Sequence, residues 1–157
     1  MLCAHSEDGA FGVVTNRPLT ISVKAVCEEA DIPWVGDDVT PIYFGGPVEP
    51  QRGWVIHDAE QVYEGSQEIG EGLAITASHD GLVAYGEHPS DDYRLVLGYA
   101  GWGPGQLDRE LQEGSWLQAP LTRDIVFGVD PDTAWQAALR SVGVDPLHLV
   151  SGGVGIH

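Results

Sequence analysis

The residues best suited by type and spacing to chemistry lie in Tyr99-Ala100-Gly101-Trp102-Gly103-Pro104-Gly105-Gln106-Leu107. An apolar run enters this segment and a helical pattern leaves it, so its glycines could present backbone N–H groups to an anion at a helix start. It fits neither standard phosphate signature. A dinucleotide fingerprint needs glycine where Gln106 stands, and a P-loop needs a Gly-Lys-Ser/Thr ending. Pro104 removes one donor, while Asp108 and Glu110 already place negative charge in the first turn, where a phosphate would be repelled. The residues themselves favour a tight turn that packs strand and helix around Trp102.

Other chemical spellings carry less. Cys3 and His5 alternate on a strand and share a face, but two ligands do not make a metal site, so packing is the expected role and no metal is expected. Ser78-His79-Asp80 has the letters of a triad. Adjacent side chains diverge, however, and no G-x-S-x-G elbow is present, so turn or capping chemistry is expected there. Asp37-Asp38 and Asp91-Asp92 read as solvated loops. Trp34, Trp54, Trp102, Trp116 and Trp135 read as core anchors before ligand-facing rings.

Charge narrows the function classes. Twenty-four acidic residues stand against seven basic ones, a formal net charge of −17, and protonating all six histidines would not reverse its sign. Arg17, Lys24, Arg52, Arg94, Arg109, Arg123 and Arg140 are scattered along the chain, so phosphate neutralisation is disfavoured and a partner with a basic surface is favoured. Cys3 and Cys27 form no C-x-x-C pair and are expected as free buried thiols. No apolar run reaches the ~18 residues of a membrane span and no secretory leader is visible, so no membrane and a cytoplasmic address are expected. No cofactor signature is present.

The elements that position these residues are short, because 21 glycines and 10 prolines punctuate the chain. Strands are expected at residues 10–15, 41–44, 54–57, 73–77 and 94–100, with the second and third as neighbours around Gly45-Gly46-Pro47. Val23, Val26, Cys27 and Ala30 have helical spacing behind Ser22 as N-cap. Further helical turns are expected at 79–86 and 106–114, with a loop at 87–92 and a glycine loop at 101–105. Asp130-Pro131 and Asp145-Pro146 signal two more helix starts. The first of these should run along an Ala134, Trp135, Ala138, Leu139, Val142 stripe, cover the sheet and stop at Gly143. At this length a single core is expected, with residues 1–150 as one α+β domain and 151–157 as a flexible glycine-rich tail.

Three segments in order carry a family resemblance. They are Cys3-Ala4-His5-Ser6-Glu7-Asp8-Gly9-Ala10-Phe11-Gly12-Val13-Val14-Thr15-Asn16-Arg17-Pro18, then Tyr43-Phe44-Gly45-Gly46-Pro47-Val48, then Leu97-Gly98-Tyr99 through Leu111 with Trp116. With them the chain resembles the bacterial YqgE/AlgH family from Met1 to about Val150. The resemblance implies an α+β fold in which a bent, bifurcated sheet forms a pseudo-barrel with flanking helices. It implies no reaction. The family name carries a role in regulating transcription of exopolysaccharide genes, yet the motifs hold no helix-turn-helix or basic patch, so such a role is expected to be indirect. Family members carry a further N-terminal strand segment, so this chain is expected to start inside that strand, leaving a sheet edge open to self-association.

Two functions from different classes follow. The first is a non-enzymatic accessory or regulatory protein acting through contacts with a basic protein. The alternative is a small-molecule-binding protein or enzyme with a pocket near Gly101, Trp102, Gly103 and Gly105. There Arg17 would hold an anionic group, Asn16 and Gln106 would orient it beside Tyr99, and His5 would transfer a proton. Asn16 and Gln106 serve equally well as turn and cap residues.

Overall fold

The protein is described by a computed structural model over residues 1–151, so the expected tail lies outside the described residues apart from Ser151. Eight strands run as β1 (Leu2–Ser6), β2 (Gly9–Gly12), β3 (Pro18–Ser22), β4 (Pro41–Phe44), β5 (Val48–Asp58), β6 (Gln67–Gly70), β7 (Leu73–Thr76) and β8 (Arg94–Trp102). The helices are α1 (Val23–Glu29), α2 (His79–Glu87), α3 (Gln106–Gln112), α4 (Ala134–Ser141) and α5 (Pro146–Ser151), with a single π-helical turn at Asp124–Gly128.

The sheet order is β1-β2-β8-β5-β7-β6, and β4 branches from β8 with β3 beyond it. One edge of β8 therefore serves two partners. Its early part pairs in parallel with β4, Tyr43 opposite Val96, and its late part pairs antiparallel with β2, Phe11 opposite Gly101. This fork bends the sheet into a nearly closed barrel with helices at its flanks, the α+β architecture that the resemblance implies.

Glycines make the fork possible. The Gly45 N–H donates to Leu97 O at 2.7 Å, and the Val14 N–H donates to Gly45 O at 2.8 Å. A Cβ on Gly45 would strike the Gly98 carbonyl, and one on Gly98, whose φ is +79°, would strike the Gly46 carbonyl.

The central strands β5 and β8 are buried on both faces where Trp54–His57 and Arg94–Val96 lie side by side, and there the apolar residues run on without alternation. Trp54, Ile56 and Val96 face one cluster with Val13, Tyr43, Ile75 and Val126. Val55 and Leu95 face the other, with Val23, Cys27, Ile42 and Tyr85. Ser22 caps α1 as expected, accepting from the Ala25 N–H at 3.1 Å. Gly143 closes α4 at φ +77°.

Several expectations are corrected. β4 and β5 are not neighbours, because β8, the most apolar strand, lies between them. The strand expected at residues 10–15 stops at Gly12, and Val14 beyond it donates to Gly45 O. β3 and β6, poor in buried residues, carried too weak an alternation to be recognised. Residues 131–133 form a turn, with the Thr133 N–H and hydroxyl both donating to Asp130 O at 3.0 Å, so α4 starts at Ala134. It packs chiefly against the π turn and α5.

Candidate functional site

The β1, β2 and β8 ladders bring the first and third motif segments together, with His5 opposite Ala10 and Ala10 opposite Trp102. From there His5 Nε2 reaches Asp108 Oδ1 on α3 at 3.2 Å. Gly101 and Trp102 belong to β8, so the glycine loop is shorter than expected, spanning residues 103–105. Gly105 stands at φ +71° as the residue before α3.

At the centre of this junction is Glu110. Its Oε2 accepts from both indoles, Trp102 Nε1 at 2.9 Å and Trp116 Nε1 at 2.8 Å. Its Oε1 accepts from Gln106 Nε2 at 3.0 Å, and Gln106 Oε1 accepts in turn from the Gly103 N–H at 3.0 Å. Donation by Trp116 and then Gln106 holds the Glu110 carboxyl below the usual carboxylate range. The two indole rings meet edge to face with centroids 5.7 Å apart. Both indoles and the Gln106 amide are thus engaged by a carboxylate of the chain itself, and the Gly103 N–H by the Gln106 oxygen. The sequence signals Gln106 by spacing, Glu110 only as charge in the first turn and Trp116 as a core anchor, whereas Trp116 is 40% exposed.

The other expected site residues are divided between this junction and the fork. Tyr99 is half-buried in an aromatic stack with Phe11 and Trp54, centroids at 6.2 and 5.8 Å. Asn16 and Arg17 precede β3, where Arg17 O accepts from the Phe44 N–H at 2.8 Å. Phe44 lies opposite Leu97, five residues before Trp102 on β8. At ~3.3 Å per residue that is about 16 Å along the strand. His5, Trp102, Gly103 and Gln106 therefore form one cluster, and Asn16 and Arg17 sit apart from it.

Two further polar arrangements had no sequence signal. His57 is fully buried, its Nδ1 lying 2.8 Å from Asp58 O and its Nε2 2.7 Å from Thr76 Oγ1, which lies 2.7 Å from Ser66 Oγ. Burial holds its imidazole below the usual range. Arg94, 9% exposed, donates through Nη2 to Val126 O at 2.6 Å and lies 4.0 Å above the Tyr43 ring.

Two cavities open beside these elements. One, of about 110 Å³, borders Arg94, Tyr43 and Phe127. The other, of about 270 Å³, lies between α1, α2 and the β5–β8 sheet and is walled by Ile32, Trp34, Leu82 and Leu97.

The remaining chemical spellings resolve into structure. Ser78 caps α2, accepting from the Gly81 N–H at 3.0 Å and donating to Glu64 O at 2.6 Å. Cys3 and Cys27 are free and buried, and burial pushes each thiol up to about 11. Among the described residues no group of three or more His, Cys, Asp or Glu is arranged to hold a metal, and no helix is long and apolar enough to cross a membrane.

Comparison with known proteins agrees with the motifs. A family model described as AlgH-like matches residues 1–147. A UPF0301 protein of Thioalkalivibrio sulfidiphilus is 41% identical over 156 residues, covering 98% of this chain and 83% of that protein. A UPF0301 protein of Shewanella putrefaciens is 43% identical over 150 residues, covering 92% of this chain and 80% of that one.

Among solved structures, the solution structure of the AlgH protein from Pseudomonas aeruginosa matches with a TM-score of 0.78 at 35% identity, covering 99% of this chain and 84% of that chain. The crystal structure of protein DIP2367 from Corynebacterium diphtheriae matches with a TM-score of 0.70 at 25% identity, covering 96% of this chain and 80% of that chain. With a family model spanning nearly the whole chain and relatives at 41% and 43% identity, this chain belongs to the AlgH-like family.

Proposed function

We propose that the protein is a non-enzymatic accessory protein of the cytoplasm that docks a basic protein surface through α3 and residues 113–120. The observation that supports this reading is the composition of that face. Residues 112–120 are all exposed, with Trp116 at 40% and Leu117 at 58%, beside the carboxylates of Asp108, Glu110 and Glu113. Exposed apolar anchors rimmed by one sign of charge suit a partner of the opposite sign. Any effect on transcription is then indirect, because the acidic chain repels duplex phosphates.

The small-molecule alternative at the Gly101–Gly105 loop draws less support, since the Gly103 N–H, both indoles and the Gln106 amide are already paired. β1 is an edge strand with Leu2 exposed, which supports self-pairing along that edge. A well-behaved monomer in size-exclusion chromatography would refute the self-pairing.

The docking test is affinity capture at about 50 mM and about 500 mM salt, spanning the range over which surface charges become screened, followed by mass spectrometry. Wild type is compared with the Trp116→Ser, Leu117→Ser double variant. The expected result is a basic protein retained only at low salt and lost with the variant. Salt-independent capture, or undiminished capture by the variant, overturns the reading.

A further inference from the structure

The start of β8 holds a buried cation that the chain does not neutralise. Arg94 is 9% exposed, its Nη2 donates to Val126 O, and its guanidinium stacks on Tyr43. Its Nε is buried with no hydrogen-bond partner. Among the described residues no carboxylate forms an ion pair with it, although the chain carries 24 acidic residues. Arg123 shows what neutralisation looks like here, reaching Asp58 Oδ2 at 3.2 Å and Asp92 Oδ2 at 3.7 Å. A buried charge left uncompensated is unfavourable, and Arg94, which lines a cavity, has no carboxylate among the described residues to offset it.

The cavity beside it completes the pattern. About 110 Å³ of space is lined by Arg94, Tyr43, Tyr93, Thr40, Phe127 and Asp91, among others. Arg94 is the buried group and Asp91 the exposed one, so cation and carboxylate mark the inner end and the mouth. Asp92 also lines the cavity but is engaged by Arg123, whereas Asp91 pairs with no cation among the described residues. The volume falls below the ~150 Å³ that accommodates benzene, which limits an occupant to the size of a small amino acid.

A simple anion would meet Asp91 at the mouth and the repulsion of a chain with net charge −17. A molecule that carries its own cation avoids both penalties. The π turn that supplies Val126 O fits the same picture, since single π turns are frequent at functional sites.

We propose that the cleft between β4, the start of β8 and the π turn binds a small zwitterion, its carboxylate taken by Arg94 and its ammonium by Asp91. The aromatic side chains of Tyr43, Tyr93 and Phe127 flank the short carbon chain between them. This site lies at the opposite end of β8 from Trp102 and is independent of the docking face.

The test is an NMR titration of the full chain, following the Arg94 Nε–H and the amides of Asp91 and Tyr93. The probes are glycine, β-alanine and 4-aminobutyrate, each beside its matched carboxylic acid and matched amine. The expected result is a saturable Arg94 Nε–H shift with at least one zwitterion, at an apparent Kd about tenfold below either matched compound, the difference one charge-assisted bond makes.

Asp91→Asn, at an exposed position, should abolish that preference while leaving the binding of the matched acid no weaker. Absence of a saturable shift with every zwitterion overturns the proposal. So does a matched acid that binds as tightly as its zwitterion, or a preference that survives Asp91→Asn.

Discussion

Replacing Thr76 by valine keeps the shape of the side chain and removes only a hydroxyl, yet in this fold it breaks a directed chain. Asp58 O can only accept, so His57 Nδ1 carries the proton and Nε2 accepts from the Thr76 hydroxyl. Ser66 then donates to Thr76, and its own oxygen accepts from the Tyr63 N–H at 2.9 Å. Thr76→Val leaves Nε2 buried without a donor and Ser66 without its acceptor. Each orphaned group costs roughly 1–3 kcal/mol. Ser66 is half-buried and can turn to water, so the His57 term dominates and the expected loss is about 2 kcal/mol. For a chain of this length that is about 4–8 °C in Tm.

His57 and Thr76 are coupled through this one bond. His57→Phe keeps a ring against Tyr63 and Tyr85, whose centroids lie 5.1 and 5.9 Å away, and removes the orphan acceptor. In the Thr76→Val background it should therefore cost about 1–2 kcal/mol less than in wild type, because the two positions share one interaction. Urea unfolding of the four proteins at about pH 8, where imidazole is neutral, measures both quantities. A Thr76→Val loss below about 0.5 kcal/mol, or strict additivity across the cycle, refutes a directed chain.

Four other outcomes follow from the structure. Burial depresses the His57 pKa, so just below the usual imidazole value of about 6.5 the unfolded chain binds a proton that the folded chain does not. Its contribution is complete above that value and declines as pH falls toward the folded pKa, at up to about 1.4 kcal/mol per pH unit; thermal unfolding against pH should show this slope, and His57→Phe should remove it.

Gly86→Ala would drive a Cβ into the Pro33 carbonyl oxygen and should cost at least ~1–3 kcal/mol. Gly53→Ala, whose nearest neighbour would be Leu82 Cδ1 at 3.8 Å, should leave Tm within a degree or so of wild type. With both thiols at about 11, only about one in a thousand is thiolate at pH 8. Ellman's reagent should therefore label native protein slowly and denatured protein at once, and rapid labelling of the native state would contradict the burial of Cys3 and Cys27.

Local chemistry was legible where the sequence period reports directly on burial. Ser22 and the Val23, Val26, Cys27 spacing identify α1, and the apolar run of β8 marks a strand buried on both faces. Pairing was less legible, because nothing in Tyr43-Phe44-Gly45-Gly46 says that β4 runs parallel to a strand fifty residues later. Strand order depends on which apolar strand can be covered on both edges, and that is decided by the whole sheet. Polar networks were least legible of all. His57, Thr76 and Ser66 are separated by unrelated residues, and each is ordinary alone. Asp91 and Arg94 look like a solvated loop leading into a strand, and only the bond from Arg94 to Val126 O of the π turn shows that Arg94 is buried.

The motif residues by which the chain is recognisable therefore need not be the residues that carry its chemistry. Gly45, Gly46 and Gly98 are accounted for by the close approach of two backbones at the fork, where any Cβ would collide with a carbonyl group. Gln106, Trp102 and Trp116 are accounted for by their hydrogen bonds to Glu110, and Gly105 by its positive φ before α3. What these motifs secure is a fork rigid enough to hold α3 and its exposed apolar strap on one end of β8 and Arg94 at the other. The two ends differ in kind. At α3 Gln106 and Glu110 are engaged within the chain, and the adjoining surface exposes Trp116 and Leu117 among carboxylates. At Arg94 a buried guanidinium keeps an Nε–H without an acceptor and, among the described residues, has no carboxylate beside it.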